Sequence, residues 1–69
     1  MTVCSILWRD PRWVVACEDG YFVQSDHLNR DEAIWTGGRQ ANQHRPSLLR
    51  IYKKDGSLER EHPYFAKLR

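Results

Sequence analysis

The stretch that most constrains this chain runs from Leu28 to Pro46, the one long segment that both starts and stops like a helix. Asn29 supplies an oxygen acceptor for the first turn, and Glu32, three residues on, completes a capping box. Leu28 ahead of the cap can staple onto Ala33, while Asp31 and Glu32 complement the positive pole of the helix. His44 and Arg45 match the negative pole, and Pro46 ends the segment. Ala33, Ile34, Gly37, Gly38 and Ala41 line one face, a stripe of small residues that lets a helix lie close on a sheet. Each of the adjacent glycines weakens a helix interior by about 1 kcal/mol relative to alanine, so tight packing compensates or the helix bends there. Trp35 falls off the stripe, at the helix margin or on an exposed contact surface.

On either side lie β-prone runs folded back at an Asp-Gly pair. Trp13–Glu18 and Tyr21–Ser25 flank Asp19-Gly20, which reads as a two-residue type I′ turn pairing Cys17 with Phe22 and Ala16 with Val23. Trp13, Val15, Cys17 and Phe22 then share one face; Val14, Ala16, Val23 and Tyr21 share the other. Ser47–Lys54 and Ser57–His62 flank Asp55-Gly56, with Tyr52 opposite Glu59 and Arg50 opposite Glu61 as a cross-strand ion pair. In that register Leu49, Ile51 and Leu58 point to the helix, and Arg50, Tyr52, Glu59 and Glu61 point away. Arg60 and His62 land on the apolar face, which requires a marginal position, a bulge or a slipped register.

These elements predict an α+β domain over residues 1–69: a four-stranded antiparallel sheet in β-β-α-β-β order, two hairpins, with one helix packed on one face. Residues 12–62 form this core and 63–69 a C-terminal tail. Residues 1–11 are a strand or an arm, because Thr2–Trp8 is β-prone and Pro11 then interrupts it by lacking an N–H and restricting Asp10. The first hairpin is apolar on both faces, and one helix covers only one. The second face needs the Met1–Trp8 strand, the Tyr64–Leu68 tail or another copy of the chain.

The run Trp13-Val14-Val15, Gly20-Tyr21-Phe22-Val23, Glu32-Ala33-Ile34, Ala41 and Lys54-Asp55-Gly56 resembles a family of small uncharacterised bacterial domains, a domain-of-unknown-function group, across roughly residues 12 to 62. The resemblance implies the β-β-α-β-β layout and brings no activity or catalytic residues with it. Met1–Trp8 and Gly37-Gly38 depart from the pattern.

A chain of 69 residues buries only about 60% of its unfolded surface, and domains of this size lean on a disulfide, a metal or a partner. Cys4 and Cys17 allow one bridge, but Met1–Trp8 lacks the pattern of a signal peptide, so a reduced cytoplasmic protein with small, core-filling cysteines is expected. Cys4, Cys17, His27, His44 and His62 form no close-spaced ligand pair, so no metal is expected. Ser5, Ser25, Ser47 and Ser57 show no nucleophile elbow and no Gly-rich loop precedes the helix, so no enzyme, cofactor or small-molecule substrate is expected either. No segment is long and apolar enough to span a membrane.

Binding is the remaining class. Three tryptophans and an unpaired N-terminal strand favour protein contact, a homodimer being its simplest form, with Ile6, Trp8, Val14, Val23 and Trp35 as contact candidates. The alternative is nucleic acid. Residues 1–35 carry three basic and six acidic groups, and residues 36–69 eight basic and three acidic, so the net charge of +2 is −3 and +5 by halves. Arg39, Arg45, Arg50, Tyr52, Lys53 and Lys54 are the contact candidates on that reading. His44, Arg60, Lys67 and Arg69 extend the surface, and Trp35 and Tyr64 add stacking faces. A fold that interleaves the halves would instead give a mixed, solvated surface.

Overall fold

The computed structural model describes residues 2–18 and 22–66, the side chains of Phe22 and Val23 excepted. Its elements are β1 (Thr2–Arg9), β2 (Arg12–Glu18), β3 (Phe22–His27), α1 (Arg30–Gln43), β4 (Ser47–Tyr52) and β5 (Leu58–Tyr64). The α+β class and the single helix are as expected, but the sheet is five-stranded and mixed, in the order β3-β2-β1-β4-β5. The N-terminal segment is neither an arm nor an accessory. As β1 it is the central strand, antiparallel to β2 and parallel to β4. Asp10 and Pro11 form the two-residue connection between Arg9 and Arg12, which are paired, and their peptide bond is cis. The proline therefore sits in the turn, where no ladder donor is required.

Strand alternation sorts the residues. Cys4 and Ile6 on β1, Trp13, Val15 and Cys17 on β2, and Leu49 and Ile51 on β4 are buried together with Ala33 and Ala41 of α1. Gly37 sets the helix height. A Cβ built there would lie 2.6 Å from Ile6 Cδ1, 3.1 Å from Leu49 Cδ1 and 3.5 Å from Val15 Cγ1. The small-residue stripe is thus the packing face. At Gly38 the nearest atom to such a Cβ is Tyr64 Oη, at 3.4 Å.

Asn29 caps α1, its side chain accepting from the backbone N–H groups of Asp31 and Glu32. Glu32 does not complete the box as expected but binds His27, and Leu28 is 73% exposed, so no staple forms. The helix runs to Gln43 and His44 is its C-cap, so His44 and Arg45 lie beyond the last turn. Ser47 Oγ donates to Ala41 O and ties the helix end to β4.

Both hairpin registers differ from expectation. Glu18 pairs with Phe22 and Cys17 with Val23, one step from the two-residue register; the Asp19-Gly20 turn itself lies outside the described residues. At the second hairpin Gly56 alone takes positive φ (+91°), with its N–H donating to Lys53 O and Lys53 N–H to Ser57 O. This is a three-residue loop closed by a left-handed glycine, rather than a two-residue turn. A bulge then falls between Ile51 and Tyr52: Arg50 faces Glu61 and Ile51 faces Arg60 as expected, but Tyr52 faces Leu58. Leu58 consequently shares the far face with Tyr52 and is 47% exposed, not turned toward the helix.

Cys4 and Cys17, expected as free thiols, are cross-strand partners joined in a disulfide within the core. Trp13 is buried and Trp8 packs on it at 5.1 Å, so two of the three tryptophans serve the core. Among the described residues no helix is long and apolar enough to cross a membrane.

Two measurements test this packing. Gly37→Ala gains about 1 kcal/mol of helix propensity but overpacks the core by about 1–3 kcal/mol, so its urea midpoint falls, whereas Gly38→Ala holds or rises. The Cys4→Ala/Cys17→Ala double variant loses about 3 kcal/mol in the same denaturation, the chain-entropy value for a loop of this size.

Candidate groove between the helix and the last strand

The helix packs over β1 and β2 and touches β4, leaving β5 beside it rather than beneath it. A groove results, with α1 as one wall, β5 as the other and Leu49 and Ile51 of β4 as its floor. It has two contiguous parts that share Ile34, Leu49 and Tyr64. One, about 240 Å³, is bounded by Arg60 and His62. The other, about 390 Å³, is bounded by Trp35, Gly38, Arg39 and Asn42. Trp35, Gly38, Arg39 and Asn42 meet there because they recur at helical spacing, one step around from the packing stripe.

Contacts tie both ends. Near the helix start Arg30 Nη2 donates to Glu59 Oε1 at 2.6 Å. Past the helix end the Arg45 guanidinium lies 5.2 Å from the Tyr64 ring centroid and donates to Asn42 Oδ1 and to Phe65 O. Along the walls Arg39 stacks on Trp35 at 5.0 Å, and His62 meets Tyr64 edge-on at 4.7 Å. Trp35 is 63% and Phe65 73% exposed. Stacking on an aromatic face holds a guanidinium in place with its N–H groups able to donate, as those of Arg45 do to Asn42 and Phe65.

The surface carries both signs of charge, but its glutamates are paired. Glu59 is held by Arg30, whose hydrogen bond keeps its carboxyl below the ordinary range. Glu61 is held by Arg50 at 2.8 Å and raises the Arg50 pKa by accepting its hydrogen bond. Among the described residues Arg39, Arg45 and Arg60 have no carboxylate partner. In the turn beyond β4, the Ser57 hydroxyl and then its backbone N–H lower the Asp55 pKa.

A second constellation lies on the opposite side of α1. Ser25 Oγ is 2.9 Å from His27 Nε2, and His27 Nδ1 is 2.8 Å from Glu32 Oε1. A proton on Nδ1 satisfies both bonds, and the order is that of a nucleophile, base and carboxylate. The carboxylate side chain is 65% exposed and the imidazole only 12%. The chain acts as a clamp that fastens the first turn of α1 to β3.

The sequence candidates scatter over this architecture. Ile6 is fully buried and not available as a contact; Trp8 is packed on Trp13 with Lys54 4.6 Å from its ring; Val14 is 3% exposed on the face away from the helix. Val23 pairs with Cys17 through its backbone, and its side chain lies outside the description. Trp35, Arg39 and Arg45 come together at the groove. Arg50 and Tyr52 lie on the far face, and Lys53 and Lys54 in the β4–β5 turn, so the basic candidates do not form one surface. Ile34 and His62 line the groove but are not among the sequence candidates. For His62 the signal is the alternation of β5, which puts Arg60 and His62 on the apolar side; for Ile34 it is the helical stripe.

The fold and groove together define a two-layer α+β domain with an open strip beside its helix. No family model, curated protein or solved structure matches the chain.

Glu59 and Asp55 have lowered folded pKa values, so the stability they contribute is present at neutral pH and is lost as pH falls through the carboxylate range. The urea midpoint therefore declines between about pH 5 and pH 3, and the decline is shallower in the Asp55→Asn/Glu59→Gln double variant. His27→Ala removes both bonds of the clamp and costs about 1–2 kcal/mol by the same measurement at pH 7.

Proposed function

We propose that this protein is a non-catalytic binding module whose contact surface is the groove between α1 and β5, and whose partner is another protein, a second copy included. The observation that carries this reading is Trp35, 63% exposed on an α-helix with Arg39 stacked on it beside an apolar floor. Tryptophan, tyrosine and arginine around a desolvated pocket are the residue types that dominate protein contact energy. A solvated tryptophan has no such role in the fold, because the core is filled without it.

Nucleic acid is the second reading, favoured by where the charge lies. The sheet order places β3, β2 and β1 on one side and β4 and β5 on the other, so the acidic and basic halves of the chain do not interleave within the sheet. That reading requires a steep fall of affinity with salt.

A random-peptide display selection on the folded protein, counter-screened against Trp35→Ala, tests the first reading. The expected result is a set of peptides that bind the protein and lose at least about tenfold on Trp35→Ala, or 1.4 kcal/mol. Trp35→Ala keeps its urea midpoint to within about 0.5 kcal/mol. A selection without Trp35-dependent binders, together with salt-sensitive binding of an oligothymidylate, would move the assignment to nucleic acid. Sedimentation velocity at micromolar concentration shows whether the partner is another copy.

A further inference from the structure

We infer that the groove takes an acidic peptide segment: one bulky apolar or aromatic anchor flanked by carboxylates, supplied by a partner protein. This rests on the protein-binding reading above and adds the chemistry of the partner.

Three observations carry it. The first is charge. Arg39 and Arg60 line the groove, and among the described residues its one lining carboxylate, Glu61, is already held by Arg50, as Glu59 is by Arg30. A basic partner would meet the Arg39 and Arg60 guanidinium groups, which have no carboxylate partner among those residues, and a neutral one would leave them so; an acidic one gives both a charge-assisted hydrogen bond.

The second is the floor. Leu49 and Ile34 are continuous with the core, and the larger part of the groove, about 390 Å³, opens between them and Trp35. An apolar side chain gains from burial there, whereas a sugar–phosphate backbone does not. The third is the state of the rings. Trp35 and Tyr64 each already carry a guanidinium on one face, at 5.0 and 5.2 Å, which removes a surface a base would stack on while fixing a donor for a carboxylate. The walls also fit a short peptide: the seven residues of β5 extend about 23 Å and the fourteen of α1 about 21 Å, the reach of six or seven extended residues.

The probe is a pair of synthetic peptides of equal length, one with a Phe-Leu anchor flanked by Asp and Glu, the other with each acid replaced by its amide. Binding to the ¹⁵N-labelled protein is followed by chemical shift and by calorimetry at low and high salt. The acidic peptide is expected to bind at least about tenfold tighter than its amide twin, with the advantage shrinking at high salt, and to shift the Trp35 indole N–H. Arg39→Glu and Arg60→Glu, both exposed, should each weaken the acidic peptide about tenfold and so remove most of its advantage over the amide peptide.

Equal binding of the two peptides at Trp35 would overturn the acidic partner while leaving the groove a protein site. So would a display selection that returns Trp35-dependent sequences without acids. An oligothymidylate that displaces the peptide and binds more tightly would assign the groove to nucleic acid. Absence of peptide binding, together with a selection empty of Trp35-dependent sequences, would remove both this inference and the reading beneath it.

Discussion

The rest of the structure depends on the close approach of α1 to the sheet at Gly37. With a hydrogen in place of a side chain, the helix backbone sits directly on Ile6, Val15 and Leu49, one residue from each of the three central strands. That contact fixes the helix height and its position over β1 and β2. It also explains why two adjacent glycines are tolerated where propensity alone argues for a bend: Gly37 removes a clash with the sheet, and Gly38 leaves room for Tyr64. The Cys4–Cys17 bond lies in the same core, across the β1–β2 pair, and limits how far these two strands can part in the unfolded chain.

What could be read from the residues followed the range of the interactions involved. The cap at Asn29, the small-residue stripe and the Arg50–Glu61 pair depend on residues near one another in sequence or on an uninterrupted strand register, and each was legible. The central place of β1 was not, because its parallel partner β4 follows two strands and a helix, and no local pattern encodes that pairing. In sequence Pro11 looks like a break because its missing N–H argues against a strand, while its actual place, a turn residue between two paired arginines, depends on β1 and β2 finding each other. The Asp55-Gly56 turn was placed correctly but given the wrong geometry. Asp55 accepts hydrogen bonds from the Ser57 N–H and hydroxyl, which favours a loop in which only Gly56 takes positive φ.

The groove was half legible for the same reason. Trp35 stands out because helical spacing separates it from the packing stripe, and Arg39 and Arg45 because they belong to the basic half of the chain. Their counterparts on β5 could be joined to them only through the order of the sheet. Even so, the alternation that put Arg60 and His62 on the apolar face was a true signal. That face is uncovered at β5, so charged residues there meet solvent and the groove rather than the core.

An uncovered strip follows from dimensions alone. A helix is about 10 Å across with its side chains, and strands lie about 4.8 Å apart, so one helix shields two or three strands of five. Which flank stays open is decided by lateral contacts. On the β3 side the Ser25–His27–Glu32 clamp holds the first turn of the helix, and Arg30 lies 5.6 Å from the Trp13 ring. On the β5 side the ties are Arg30 to Glu59 and Arg45 to Tyr64 and Phe65, which join the ends of helix and strand while leaving the middle apart. The clamp and the groove are therefore two sides of one arrangement: the bonds that draw the helix toward β3 leave space beside β5, above the buried Leu49 and Ile51. A change at His27 can then alter the width of a site on the far side of the helix without touching any residue that lines it.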